Sequence, residues 1–423
     1  MSPRRASSPR IDPRMIAIIG STIPILSTGC VKPDESRPWS TRDQSMSTAR
    51  AEPTTPPRVI ERTMTAETAV REPAPSTGIA TETPTEDPIA TEPPVTIAPP
   101  TLAGDTPSDR AGSWLRQAIH DEYPLVRAYA FEAMEHDPSM LLEFGGNGLV
   151  DENRGVRFVT TMAIGRTCLA DLTPLVEPGL LDASRSVQAA SIFALRELGQ
   201  PVDPSPLADM TMGEDPEVRG NAYMVLGMLQ NASAIPVIDA SLGKGMRLRN
   251  PMRIRITELQ AAEALVMLGD VDDVEPIRAA LFSPVEQGEL TVLACDMLGR
   301  LQDERARPML MRLILADGNE RRPPEIRVAA AHAILRMPPP WENGLEQVIL
   351  EYANAEDPLL RTQVAAALAD AASPAAAKAL NRLLEDQNSI VRTAAAGAIL
   401  ERSAADTEPP GAPFEGARAT VPD

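Results

Sequence analysis

Three histidines, three cysteines and one basic cluster are the residues of this 423-residue chain that invite a chemical reading. His120, His136 and His332 stand alone, with no His-Glu pair, no Cys-x-x-Cys-His run and no cysteine pairs at zinc spacing. A metal or haem site needs several donors converging from characteristic spacings, and none is supplied here. No Gly-rich phosphate loop and no Gly-x-Ser-x-Gly elbow occurs either, so the sequence points away from an enzyme and calls for no cofactor. The basic residues Lys244, Arg247, Arg249, Arg253 and Arg255 fall within residues 243–255, among Gly243, Gly245 and Pro251. On a chain of net charge −19 such a loop is a candidate contact for an anionic group or an acidic partner segment. A tolerated insertion whose charges balance its neighbours is the competing reading. The same acidity repels phosphate backbones, which argues against nucleic acid as a partner.

Cys30 closes a separate pattern. Arg4, Arg5, Arg10 and Arg14 precede an apolar run from Met15 to Leu26, followed by Ser27-Thr28-Gly29-Cys30. A bilayer span needs about 20 apolar residues, more than this run provides. The segment resembles a bacterial lipoprotein signal, in which a small residue precedes the cysteine that is lipidated and becomes the mature N-terminus. Gly29 and Cys30 fit that pattern; Ser27 departs from it, standing where the family prefers Leu. The resemblance implies lipidation at Cys30 and an exported protein anchored in the cell envelope on its periplasmic side, with a secreted form as the alternative.

The elements that carry these residues are set by a repeat. Between Leu125 and Arg402 an aliphatic residue, often followed by Arg, recurs nine times with small and large apolar residues at helical spacing behind it. Clear copies open at Val126, Val156, Val218, Ile326 and Val391, looser ones at Val187, Thr257, Leu290 and Leu360, with intervals of 30, 31, 31, 39, 33, 36, 34 and 31 residues. The positions at +0, +4, +7, +8 and +11 form one helical stripe. Acidic residues such as Asp121, Asp151, Asp182, Asp215, Asp357 and Asp386 suit the turn and cap before that helix. A period of this length is a helix pair stacked into a solenoid. The acidic turn, the Val-Arg opening and the Ala-rich stripe resemble short bacterial HEAT repeats of the phycobilisome-lyase type, over about residues 112–402.

That resemblance implies an all-α superhelix of about nine helix pairs acting as a protein-binding scaffold, with a catalytic or cofactor-handling, bilin-lyase-like HEAT protein or a passive envelope spacer as the alternatives. It also implies that Arg127, Arg157, Arg219, Arg327, Arg361 and Arg392 pair with acidic residues of their own or the adjacent repeat, forming a structural ladder. Gln188, Glu258 and Thr291 interrupt the series. His332, Cys168 and Cys295 fall among the stripes, where a satisfied imidazole and two inert thiols are expected. Residues 31–111 hold about a third of the 42 prolines, with few bulky apolar side chains, and read as a disordered spacer. The domain reading is therefore a lipoprotein-like signal at 1–30, a linker at 31–111, the array at 112–402 and a disordered tail at 403–423.

Overall fold

The computed structural model describes residues 102–245 and 250–407. The signal-like segment, nearly all of the linker, residues 246–249 and the end of the chain lie outside the described residues. Nine helix pairs follow one another, and no strand occurs among the described residues. The first four pairs are α1 Pro107–Ala118 with α2 Pro124–Ala133, α3 Pro138–Leu149 with α4 Arg154–Arg166, α5 Thr173–Val176 with α6 Arg185–Glu197, and α7 Pro206–Thr211 with α8 Pro216–Met228. The middle pairs are α9 Ile235–Ser241 with α10 Pro251–Met267, α11 Val274–Ala280 with α12 Gly288–Arg300, and α13 Arg307–Leu315 with α14 Pro324–Leu335. The last two are α15 Leu345–Leu350 with α16 Pro358–Ala367, and α17 Pro374–Leu383 with α18 Ser389–Thr407.

Helix starts follow from local chemistry. Proline opens α2, α8, α10, α14 and α16 at the first helical position, where its missing N–H is unused. Asp215 and Asp357 cap α8 and α16 by accepting from Glu217 N and Leu359 N. Asp151 and Asp182 instead brace the preceding turn, accepting from the amides of Asn153 and Ser184 at 2.8 and 2.7 Å. α1 begins five residues before the boundary expected at 112, because Thr106 and Asp109 close a capping box ahead of it. α18 likewise runs past 402.

The stripe positions of the even-numbered helices are buried, as at Val126 and Ala130, both 0% exposed. Neighbouring even helices meet at glycine. A Cβ on Gly165 would lie 2.7 Å from Ala194 Cα, one on Gly227 3.0 Å from Ala264 Cα, and one on Gly299 2.9 Å from Ala333 Cα. Each of those alanines occupies the +7 position of the next repeat, so its small size is what admits the preceding helix.

The array also closes on itself. α18 packs against α1 and α2, nearly the full length of the repeat region away in sequence. Trp114 Nε1 donates to Thr393 Oγ1 at 2.9 Å, and the Arg392 guanidinium stacks 4.2 Å from the Trp114 ring centroid. Ser108 and Ser403 hydroxyls meet at 2.6 Å, and Arg110 donates to Asn381 Oδ1 at 3.1 Å. A Cβ on Gly397 would stand 3.1 Å from Ala133 Cβ. Ala133 is the +7 residue of the first repeat, so the last helix sits where a preceding repeat would sit. One apolar core accordingly contains residues from both ends of the array.

Candidate functional site

The arginine ladder is largely structural. Arg127 Nε and Nη2 donate to the two Asp151 oxygens at 2.8 and 2.9 Å, while Nη1 donates to the Asp121 carbonyl at 2.9 Å. Arg157 repeats this on Asp182 and the Asp151 carbonyl, and Arg361 on Asp386 and the Ala355 carbonyl. Bidentate pairing of this kind fixes angle as well as distance. Although burial acts to raise their carboxyls, hydrogen bonds from the arginines and from turn amides hold Asp151 and Asp182 below the usual range.

The other three copies differ in their partners, and of these only Arg327 still reaches an acid of the adjacent repeat. Arg219, fully buried, donates to the carbonyls of Gly213, Lys244 and Ser241 and to the Tyr223 hydroxyl. Arg327 meets the Tyr352 hydroxyl and Glu351. Arg392, in the last described repeat, donates to the Asp386 and Gln387 carbonyls and covers Trp114 of the first repeat. A shallow depression of about 250 Å³ lies over one rung, lined in part by Arg361, Asp386 and Arg382.

The basic segment divides. Arg247 and Arg249 lie outside the described residues. Lys244 is exposed, and its carbonyl accepts from Arg219 Nη1 at 2.7 Å. Arg253 and Arg255 are not in a loop: α10 starts at Pro251 behind an Asn250 cap, so both belong to its first turns, half-buried and exposed respectively. The structure therefore does not gather the five cations into one described site. Cys295 is a free, buried thiol pushed well up by burial and by the Asp296 charge. Cys168 lies just past α4 and is half-buried rather than buried, at a φ of 54°.

A cluster that the motifs did not reveal occupies another face of the even helices, at the +6 and +10 positions, with Glu135 at +9. Arg166 pairs with Glu135, and Arg300 with both Glu263, at 2.7 Å, and Asp296. Arg336 Nη1 donates to Asp296 at 3.1 Å, His332 Nε2 meets Asp370 Oδ2 at 2.9 Å, and His136 Nε2 lies 3.9 Å from Glu401 Oε2. Each arginine thus reaches back to an acid on, or in the turn just after, the preceding even helix, and Glu401 joins the last helix to the first repeat. Glu132 lies within the electrostatic reach of Glu135, Glu401 and Asp296.

Six carboxylates (Glu132, Glu135, Glu263, Asp296, Asp370 and Glu401) face only three guanidiniums here, and burial makes that surplus costly. Burial, and then the Glu135 charge, pushes Glu132 well above the usual carboxyl range. Burial and the Asp370 charge push Glu401 up to about 8. Burial and the Arg166 charge push His136 down to about 4. At neutral pH the Glu401–His136 pair is accordingly a neutral acid beside a neutral imidazole. The Tyr129 hydroxyl and Arg336 Nη2 are buried with no hydrogen-bond partner among the described residues. Among the described residues no group of three or more His, Cys, Asp or Glu is placed to hold a metal ion. What this arrangement can do is store protons and register charge. Its trace in the sequence is an acid at +6 followed by Arg at +10 of the next copy, as in Glu263 with Arg300 and Asp296 with Arg336.

Residues 319–400 match the family of HEAT repeats. No curated protein matches the chain in sequence. Human deoxyhypusine hydroxylase in complex with glycerol aligns with a TM-score of 0.33 at 17% identity, covering 64% of this chain and 97% of that one. A Kap121p mutant aligns with a TM-score of 0.27 at 14% identity, covering 70% and 39%. Superpositions this loose say nothing about chemistry. Residues 319–400 are thus matched as HEAT repeats, and the same helix pair is carried through the described array.

Proposed function

We propose that this HEAT array is a non-catalytic scaffold for a protein partner, held at the cell envelope through lipid at Cys30, with the linker setting its reach. The observation that carries the binding role is on the outer side of the early repeats. Val150 and Leu181 are 81% and 89% exposed, and each immediately precedes a ladder aspartate, so they are equivalent residues of consecutive repeats. Leu142 and Leu175 add exposed apolar surface, and Leu175 lies against Gly146, one turn beyond Leu142 on α3. Exposed apolar residues repeated in register favour a protein surface over solvent, and a repeat array presents such contacts along an extended line. A photo-crosslinking residue at Leu175 should capture a partner in intact cells, and Val150→Lys with Leu181→Lys in that chain should abolish capture with helix content unchanged. Capture undiminished by both substitutions would rule this surface out.

A second reading, a ligand- or cofactor-handling array, is supported by the central cluster of shifted acids, since such clusters concentrate at functional sites. A compound retained through purification and seen by native mass spectrometry, then lost in Glu132→Gln, would select that reading.

A further inference from the structure

The joint between the two ends of the array brings Glu401 of the last helix within electrostatic reach of Glu132 and Glu135 of the first repeat. We propose that the contact of α18 with α1 and α2 is a proton-controlled latch, closed while the Glu401–His136 pair is neutral and weakened when Glu401 gives up its proton.

The geometry places both members on the moving parts. Glu401 is carried by the last helix, and His136 follows α2 directly. Glu132 on α2 and Glu135 in the turn after it, Arg166 on α4, Arg336 at the end of α14 and Asp370 just past α16 act on the pair, while Asp296 on α12 acts on Glu132 and His332 on α14 acts on Asp370. The remaining contacts of the joint include the Trp114–Thr393 and Ser108–Ser403 hydrogen bonds, the Arg392–Trp114 stack, and Arg110 with Asn381 and with Glu385 at 3.6 Å. Ionising Glu401 places a charge against Asp370 and Glu135 with only Arg336 opposing it.

The sign follows from the two shifts. Glu401 is raised from 4.5 to about 8 in the closed array, so closing takes up a proton between those values and weakens as pH rises through them. His136 is lowered from 6.5 to about 4, so closing releases a proton there and strengthens with rising pH up to 6.5. The two effects offset each other below 6.5. Between 6.5 and about 8 His136 no longer opposes Glu401, which by itself lowers the closed-to-open ratio about tenfold per pH unit before levelling off. Glu132 and Glu135, both raised, act in the same direction as Glu401 to the extent that opening hydrates them. Asp370, lowered from 3.8, titrates below this window.

Trp114, 5% exposed and stacked in the joint, is the reporter. In the full chain carrying Trp39→Phe and Trp341→Phe, the urea midpoint of its emission red shift is measured from pH 5 to 9 beside far-ultraviolet circular dichroism. The expected result is a red shift that precedes loss of helix, with a midpoint flat to pH 6.5, falling to pH 8 and level above. Glu401→Gln should remove the fall above 6.5, and His136→Gln should extend it down towards pH 5. Ser108→Cys with Ser403→Cys, oxidised, should lock the joint and make the red shift coincide with unfolding. The proposal is overturned if emission and helix are lost together in the unlocked chain at every pH, or if Glu401→Gln keeps the wild-type slope. Should one variant fail to fold, the locked pair and the other variant still decide.

Discussion

Arg157 shows how a single side chain ties two repeats together. Its guanidinium bridges both oxygens of Asp182 and two carbonyls of the turn behind it, so removal strands four acceptors at once. Leaving buried or half-buried acceptors unpaired costs about 1–3 kcal/mol. Arg157→Met should therefore lower the unfolding free energy by about that amount, checked by urea titration, whereas no change would mean that water replaces the rung without loss. Because Asp182 is held below its ordinary 3.8, its contribution is full above that value and is lost as pH falls through the lower folded one. Asp182→Asn should flatten the acid limb of the stability curve. The pairing was legible only through the HEAT resemblance that the Asp turn and Val-Arg opening carry; the exception at Arg219 was not, because carbonyl acceptors leave no mark on side-chain sequence. Cys30 is a separate residue-scale question: with Cys30→Ala, metabolic lipid labelling should vanish, and labelling that persists would exclude the anchor.

Between elements, the deciding quantity is the distance at which even-numbered helices approach. Gly299 admits Ala333 backbone, and a side chain at 299 meets main-chain atoms that cannot swing away. Gly299→Leu should cost at least the about 1–3 kcal/mol typical of overpacking, and Ala294→Trp, placed at a fully buried stripe position, should do the same. Either lesion should split the melt into two steps by calorimetry, because repeats couple mainly through neighbours; a single unshifted transition would refute the assigned register. The stripe itself was readable, since small and large residues at +4, +7 and +8 repeat with the helical period. The +6 and +10 acids and arginines were not singled out, because on one isolated helix they resemble an ordinary solvated face. Only the neighbouring even helices, and the return of α18, bury them.

At the scale of the whole array, closure changes what a truncation means. In an open stack, removing the last pair uncovers one face and destabilises the adjacent repeat, leaving the far end untouched. Here, loss of residues 374–407 also bares Trp114 and Ala133 of the first repeat, which α18 otherwise covers. Closure was not legible in the repeat, since a contact between the first and last copies adds no new period. Ala133 carries its only hint: a free first repeat has no need for a small residue at +7. Deleting residues 374–407 should therefore reduce amide-exchange protection at both α14–α16 and α1–α2, with α6–α10 the least affected. Loss of protection confined to α14–α16 would show that the two ends behave independently, and that the last pair stabilises only the repeat before it.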